Sequence, residues 1–503
     1  MASNKEEQEQ EHQCHERAHL LHHDHSVRQL EEDVPFYSHP KQRQRWGDHQ
    51  VLPHVNWGDL FFDLFYVAAA HNLARILEID PSLEGLLYFT CCYFPIFMVW
   101  SDKVVYSSRF APDDNFFHRG LEIFHLCVLE TIVQHIRSVK IMSHPSVYPD
   151  TMIFTFAIVL DCVTELWKQA DLHHNVEGGP EAVHNAKDDF DRKLISVAVF
   201  LLAAILAGYD YFFVADNAPN PVPILVVFAG YLVDQFLTQY QYLSVSRRSG
   251  SFNEYRVPVN LEFMSHRLGE WIMLMLGESI LSLLIVAESN GFRYFVTFYT
   301  GILSVTMLQY IYYRTQPYSV DDHAMRRSAS GGLLFYFMLQ FYSAALIVFG
   351  GSYKLMLLQY LEEQRVGNNP NAIIHGSFTL AQRQVRLANM FSRSLACAFF
   401  ALDLMIVSHR GIEANWAKFW RSDGQLDLLR VVVAAVNITL VIVSGTLSLW
   451  TNSLESLSVL GLLIIVAQIM SRTLKMKLFP VSKRKVHSEW PNVTVPQISE
   501  ERD

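Results

Sequence analysis

Disulfide chemistry is the first thing this chain lacks, with six Cys in 503 residues. Cys91, Cys92, Cys127, Cys162 and Cys397 fall inside apolar stretches and Cys14 stands alone in a polar head, so no framework of cross-links is expected. Charge is scarce too, at 18 % Asp, Glu, Lys and Arg, and the acidic excess of −10 lies chiefly in tails and loops. No basic, aromatic-studded patch suits a nucleic acid. A Gly-rich phosphate loop, a Ser-His-Asp arrangement and a Cys-rich metal site are all missing. Enzymatic chemistry therefore has no support, and no cofactor is implied.

What is present is apolar. Half the composition is hydrophobic, including 34 Phe and 22 Tyr, and stretches near the length needed to cross a bilayer recur throughout. Twelve are predicted. The first six run from about 57 to 79, 84 to 107, 120 to 139, 150 to 168, 193 to 215 and 221 to 243. The second six run from about 260 to 287, 293 to 314, 330 to 358, 390 to 409, 426 to 450 and 453 to 471. A soluble fold could not cover that many helices lacking polar outer faces. The expected class is an all-α polytopic membrane protein of about 12 transmembrane helices in two parallel six-helix repeats. Residues 1–55 form a disordered, His-rich head, 56–245 the first repeat, 246–472 the second, and 473–503 a basic, then polar tail.

Basic residues set the expected orientation. Loops after the even-numbered spans hold Arg109 and Arg119, then Lys168, Lys187, Arg192 and Lys193, then Arg247, Arg248 and Arg256, then Arg314, Arg326 and Arg327, then Arg410, Lys418 and Arg421. This pattern places them, with both termini, in the cytoplasm, and a plasma membrane is the expected host. Residues 359–389 carry Arg365, Arg383 and Arg386 on the opposite side, which predicts a re-entrant or surface helix there. No cleavable signal is expected ahead of the first span, because the opening 55 residues are polar and rich in charge and His.

Two motifs occur twice. Trp57-Gly-Asp59-Leu-Phe-Phe-Asp63, continuing to His71, is answered by His266-Arg267-Leu-Gly-Glu270, continuing to Glu278. Glu270 lies 207 positions after Asp63 (270 less 63), and Glu278 lies 207 after His71. Between the second and third spans stands Arg109 with Asp113, Asp114 and Arg119, and between the eighth and ninth stand Asp321, Asp322, Arg326 and Arg327, offset by 208 (321 less 113). Agreement within one residue over two separate motifs indicates an internal duplication. Six spans per half keep both halves in one orientation, with a central path as the usual place for a site.

Ionisable groups are expensive to hold in hydrocarbon. On a helix Asp59 and Asp63 share a face and His71 lies roughly 12 Å beyond Asp63. Most such groups here are acidic, including Glu122, Glu130, Asp161, Glu165, Asp210, Asp234 and Asp403, with His125 among them, so a small cation or proton is the expected guest. Asp63 and Glu270 are the expected cation ligands and His71 and Glu278 the second stations of an ion or proton path. Asp59, His266 and Arg267 would govern access or pairing on the cytoplasmic side. The plainer account makes the same residues structural pairs in a non-transporting scaffold or stress sensor.

The paired loop aspartates are expected to cap the third and ninth helices, where acidic groups meet the dipole and unpaired N–H groups; gating is the rival reading. His12, Cys14, His15 and His19 have spacing that could gather Zn²⁺ if helical, although such tails are more often only solvated. The sequons Asn437-Ile-Thr439 and Asn492-Val-Thr494 fall in a span and in the cytoplasmic tail, away from glycosylation. Lipid is the main partner, nucleic acid is not one, and a homo-oligomer is compatible with the pattern.

Trp57-Gly-Asp-Leu-Phe-Phe-Asp-Leu-Phe-Tyr-Val, the Arg109 to Arg119 loop and Leu276-Gly-Glu278-Ser-Ile together resemble the low-temperature-requirement A (LtrA) family over most of residues 50 to 345. The long head and the 359–389 segment look like fungal members. Asp59 stands where the family usually has Glu, and His266 where Glu is common before Arg267. The resemblance implies a polytopic membrane protein linked by name to growth in the cold.

Overall fold

The computed structural model describes residues 35–43, 57–111, 115–136, 148–213, 220–247, 257–286, 291–317, 322–366, 373–374, 378–410, 428–451 and 453–478. Twelve long helices make up almost all of it: α1 Trp57–Ile79, α2 Leu83–Arg109, α3 Phe116–Gln134, α4 Tyr148–Asn175, α5 Pro180–Phe213, α6 Val222–Arg247, α7 Leu261–Leu284, α8 Phe292–Thr315, α9 Ala329–Val366, α10 Leu380–Arg410, α11 Leu428–Thr446 and α12 Leu454–Leu478. Two-residue strands are the minor component. β1 Lys41–Gln42 pairs antiparallel with β2 Phe110–Ala111, tying the N-terminal segment to the end of α2, and β3 Ile373–Ile374 pairs with β4 Phe378–Thr379 between α9 and α10.

Among the described residues, nine of these helices carry a stretch long and apolar enough to cross a membrane. The three that do not are α3, α4 and α7. Each is interrupted by charge: Glu122 and Glu130 in α3, Asp161, Glu165 and Lys168 in α4, and Arg267, Glu270 and Glu278 in α7. In α4 and α7 much of that charge is buried within the bundle, so low hydropathy there marks an interior polar site, whereas Glu122 and Glu130 of α3 are exposed.

The helices outreach several predicted spans. α5 begins at Pro180 rather than 193, α10 at Leu380 rather than 390, and α9 continues to Val366 rather than 358. At 1.5 Å per residue α9 is roughly 57 Å long against a hydrocarbon core of roughly 30 Å. Most of the described part of residues 359–389 thus belongs to these extensions and the β3–β4 hairpin, which corrects the expected re-entrant or surface helix. Likewise α3 runs from Phe116 to Gln134 rather than over 120–139.

Helix ends also depart from expectation. Asn115 caps α3, its side chain accepting from the His118 N–H at 2.8 Å, and His323 caps a four-residue helix, Ala324–Arg327, that precedes α9. An extended residue with a short polar side chain at the boundary satisfies an otherwise unpaired N–H. Asp113, Asp114 and Asp321 lie outside the described residues, and Asp322 is exposed beside the His323 cap.

The two halves share most of their helix neighbours, although α8 also packs on α9. In the first, α1 packs on α2 and α3, α3 on α4, α4 on α5 and α6, and α5 on α6, while α2 touches α4 and α6. In the second, α7 packs on α8 and α9, α9 on α10, α10 on α11 and α12, and α11 on α12, while α8 touches α10 and α12. The halves meet where α1 contacts α7 and α9, α2 contacts both of these, and α6 contacts α9. One crossing is unusually close: a Cβ added to Gly350 of α9 would stand 2.7 Å from Ser279 Cα on α7. Small residues permit that approach.

Candidate functional site

α1 turns Phe62, Asp63, Tyr66, Ala69, Ala70, Leu73, Ala74 and Leu77 inward and leaves Phe61 and Leu64 exposed. That periodicity carries Asp63 to the seam with α7, where Arg267 is also buried. Arg267 grips Asp63 with two bonds, Nη2 to Oδ1 at 2.8 Å and Nη1 to Oδ2 at 2.9 Å, and reaches Glu270 Oε2 at 2.6 Å. Trp100 Nε1 donates to the same Asp63 at 3.1 Å. Glu270 in turn faces His266 Nδ1 at 3.1 Å, and that imidazole is exposed. Asp59, half-buried one turn before Asp63, adds its charge to the field at Arg267. The two expected cation ligands therefore share one guanidinium.

Two turns further along both helices, His71 Nδ1 stands 3.0 Å from Glu278 Oε1, and Ser282 Oγ donates to that oxygen at 2.8 Å. His71 is 31 % exposed and Glu278 1 %. The second Glu278 oxygen is buried without a hydrogen-bond partner among the described residues. Here the two positions related by the 207-residue offset touch directly.

A cavity of about 1030 Å³ opens beside this seam, lined by Phe61, Asp63, Leu64, His266, Glu270 and Tyr313 among others. It lies at the edge between α1 and α7. The middle of the junction is filled instead by rings: Trp100 and Trp271 have centroids 4.6 Å apart, and Tyr66 and Phe97 lie 5.5 and 5.2 Å from Trp271. The expected central path is in this structure a packed aromatic layer, with the acidic groups against its side.

A second polar region fills the interior of the first half. Arg192 of α5 places Nη1 2.8 Å from both oxygens of Asp234 on α6. Lys193 contacts Asp102 of α2 at 2.5 Å and Asp234 at 3.3 Å. Arg109 reaches Asp189 at 3.4 Å and donates to the Tyr242 hydroxyl. Lys103 pairs with Glu122 at 2.8 Å and lies 3.8 Å above the Phe62 ring, while Lys168 pairs with Glu165 at 2.6 Å. Buried charge of this kind persists only with partners. Arg109, Arg192 and Lys193, read from sequence as cytoplasmic loop charges, are thus buried counter-ions within helices.

Sequence reading singled out Asp161, Glu165 and Asp234 but missed Asp102, Lys103 and Trp100. The adjacent opposite charges of Asp102-Lys103 inside an apolar run were the available signal, since neighbours on a helix point to different partners. Arg119 is exposed, and Arg326 and Arg327 lie in the short helix before α9. His12, Cys14, His15 and His19 fall outside the described residues, among which no group of three His, Cys, Asp or Glu is arranged to hold a metal ion. Asn437 is buried in α11 and accepts from Ser471 at 2.8 Å, in keeping with an unmodified sequon.

Comparison with known proteins gives one match: the family described as bacterial low temperature requirement A protein (LtrA), over residues 54–470. No curated protein and no solved structure matches the chain. The matched span takes in all twelve long helices to within a few residues and extends well past the 50–345 region of the motif resemblance. With nine helices apolar enough to cross a bilayer, this is an integral membrane protein. It belongs to the LtrA family.

Proposed function

We propose that this protein is a proton-coupled transporter or channel for a small cation, built from two parallel six-helix repeats, with the ionisable pairs of the α1–α7 seam as its path. The observation that carries the reading is the His71–Glu278 contact at 3.0 Å, in which a nearly inaccessible carboxylate meets a partly exposed imidazole. An imidazole beside a buried carboxylate with one unpartnered oxygen offers two groups between which a proton can pass. Glu270 and His266 form a comparable pair at 3.1 Å beside the cavity. The shared helix neighbours and the 207-residue offset of His71 from Glu278 and of Asp63 from Glu270 support a duplicated path. The aromatic layer of Trp100 and Trp271 makes this an occluded arrangement, so conduction requires α1 and α7 to move apart. Orientation with both termini in the cytoplasm, and a plasma-membrane location, belong to the same proposal.

One observation favours the rival scaffold reading: both oxygens of Asp63 are engaged by Arg267, and Trp100 adds a third bond. In the transport reading Asp63 therefore acts by holding Arg267 for Glu270 rather than by binding the cation itself. Purified protein in liposomes carrying a pH-sensitive dye separates the two. Proton or cation flux is expected from the native chain and its loss from Glu278→Gln. Absence of flux under every imposed gradient, with Asp63→Asn still folded, leaves the scaffold.

A further inference from the structure

The first-half interior contains carboxylates whose cations can be named one by one. Glu122 has Lys103, Glu165 has Lys168, Asp189 has Arg109, and Asp102 and Asp234 share Lys193 with Arg192. Asp161 of α4 has none of them. It is 1 % exposed, and neither of its oxygens has a hydrogen-bond partner among the described residues. His125 of α3 faces it, 2 % exposed, with both ring nitrogens likewise unpartnered. The Tyr66 hydroxyl, on α1 and fully buried, is the third such group, near enough to feel the charge of Asp161. Buried polar atoms are almost always satisfied, and Asp161 of α4 and His125 of α3 face each other at 3.5 Å.

The spacings describe the guest. His125 Nδ1 stands 3.5 Å from Asp161 Oδ1 and 3.9 Å from Glu165 Oε1, too far for good direct hydrogen bonds. Asp161 and His125 thus face each other with no short hydrogen bond of their own. These atoms offer lone pairs, and the nearest Glu165 oxygen is already bonded to Lys168 at 2.6 Å. No three of these groups have the arrangement of a metal site. We propose that Asp161, His125 and Tyr66 form an enclosed site for one monovalent cation that brings its own hydrogens, a hydronium or an ammonium ion. Its single positive charge supplies what Asp161 lacks. Its hydrogens meet the carboxylate, the imidazole and the phenol.

The surrounding charges fit a guest of +1. Lys103 and Lys168 face His125, while Glu165, Asp102, Lys168 and Lys193 face Asp161. Apart from Asp161, each of these has a partner of opposite sign, and Asp63 on α1 is held by Arg267. Asp161 and His125 lie on α4 and α3, and Tyr66 borders them from the α1 side of the seam; the assignment does not depend on transport there.

Infrared difference spectra of the full chain in nanodiscs test the assignment. In ammonium-free buffer taken from mildly acidic to mildly alkaline, a hydronium guest gives a broad O–H continuum band that shifts in D₂O, is lost in Asp161→Asn and persists in Asp63→Asn. An ammonium guest gives instead a carboxylate band that responds to ammonium chloride but not to sodium chloride at constant pH. An Asp161 carboxylate indifferent to pH and to both salts overturns the site. If Asp161→Asn does not fold, His125→Gln must displace the band seen in the native chain, and an unmoved band is equally fatal. Lack of liposome flux alongside a normal band would remove the transport reading while leaving this site in place.

Discussion

The two halves share helix neighbours but not interior chemistry. The first is held from within by ion pairs, with Asp102, Lys193, Asp234 and Arg192 at its centre. In the second, the corresponding region relies mainly on hydroxyls: Tyr353 with Ser304 at 3.0 Å, Tyr360 with Thr297 at 3.1 Å, and Thr300 donating to Ser458 at 3.1 Å. Asp403 with Arg472 is an ionic contact there, and it is less enclosed, at 29 % and 12 % exposure. If one helix arrangement stands on neutral hydrogen bonds, the fold itself does not require buried ions. The charged interior of the first half is therefore where the two halves differ most.

Substitutions should expose the difference in order of size. Asp234→Ala strands Arg192 and Lys193 in the interior and should cost about 3–5 kcal/mol, the range for removing one partner of a buried pair. The thermal midpoint of the solubilised protein would drop sharply, and an unchanged midpoint would deny the network its structural weight. Next comes acid. Burial holds the His323 imidazole down at about 4, against roughly 6.5 in an unfolded chain. Its stabilisation is complete above the unfolded value and is lost as pH falls from there toward the folded value, up to about 3 kcal/mol. The first half uses Asn115 at the corresponding cap, which does not titrate. His323→Asn should therefore flatten the acid limb of the stability profile between those pH values, and a persistent slope would trace it to other groups. The smallest change is expected from Tyr353→Phe, which removes one neutral bond from the second half at about 1 kcal/mol; a loss as large as that of Asp234→Ala would erase the contrast.

Much of the helical layout was legible from composition. α1 and α8 begin and end within a few residues of their predicted spans because a membrane helix writes its hydropathy directly into sequence. The polar starts of α5 and α10 were not legible, since a helix that continues past hydrocarbon into water loses that signal and reads as loop. Arg192 and Lys193 misled for the same reason: a basic pair at the end of an apolar run looks like a membrane boundary until Asp102 and Asp234 are seen opposite. At the site, the sequence singled out Asp63, Glu270, His71 and Glu278, and the folded chain brings His71 to Glu278 and sets Asp63 and Glu270 on one guanidinium. Arg267 as the shared counter-ion and Trp271 as part of the aromatic layer required the helices to be packed.

The near absence of space between Gly350 and Ser279 has a mechanical consequence. Ser279 also donates to the Leu346 carbonyl at 3.2 Å, so α7 and α9 are locked as a single rigid lever. A shift of α7 at Ser279 must therefore carry the Leu346–Gly350 turn of α9 with it.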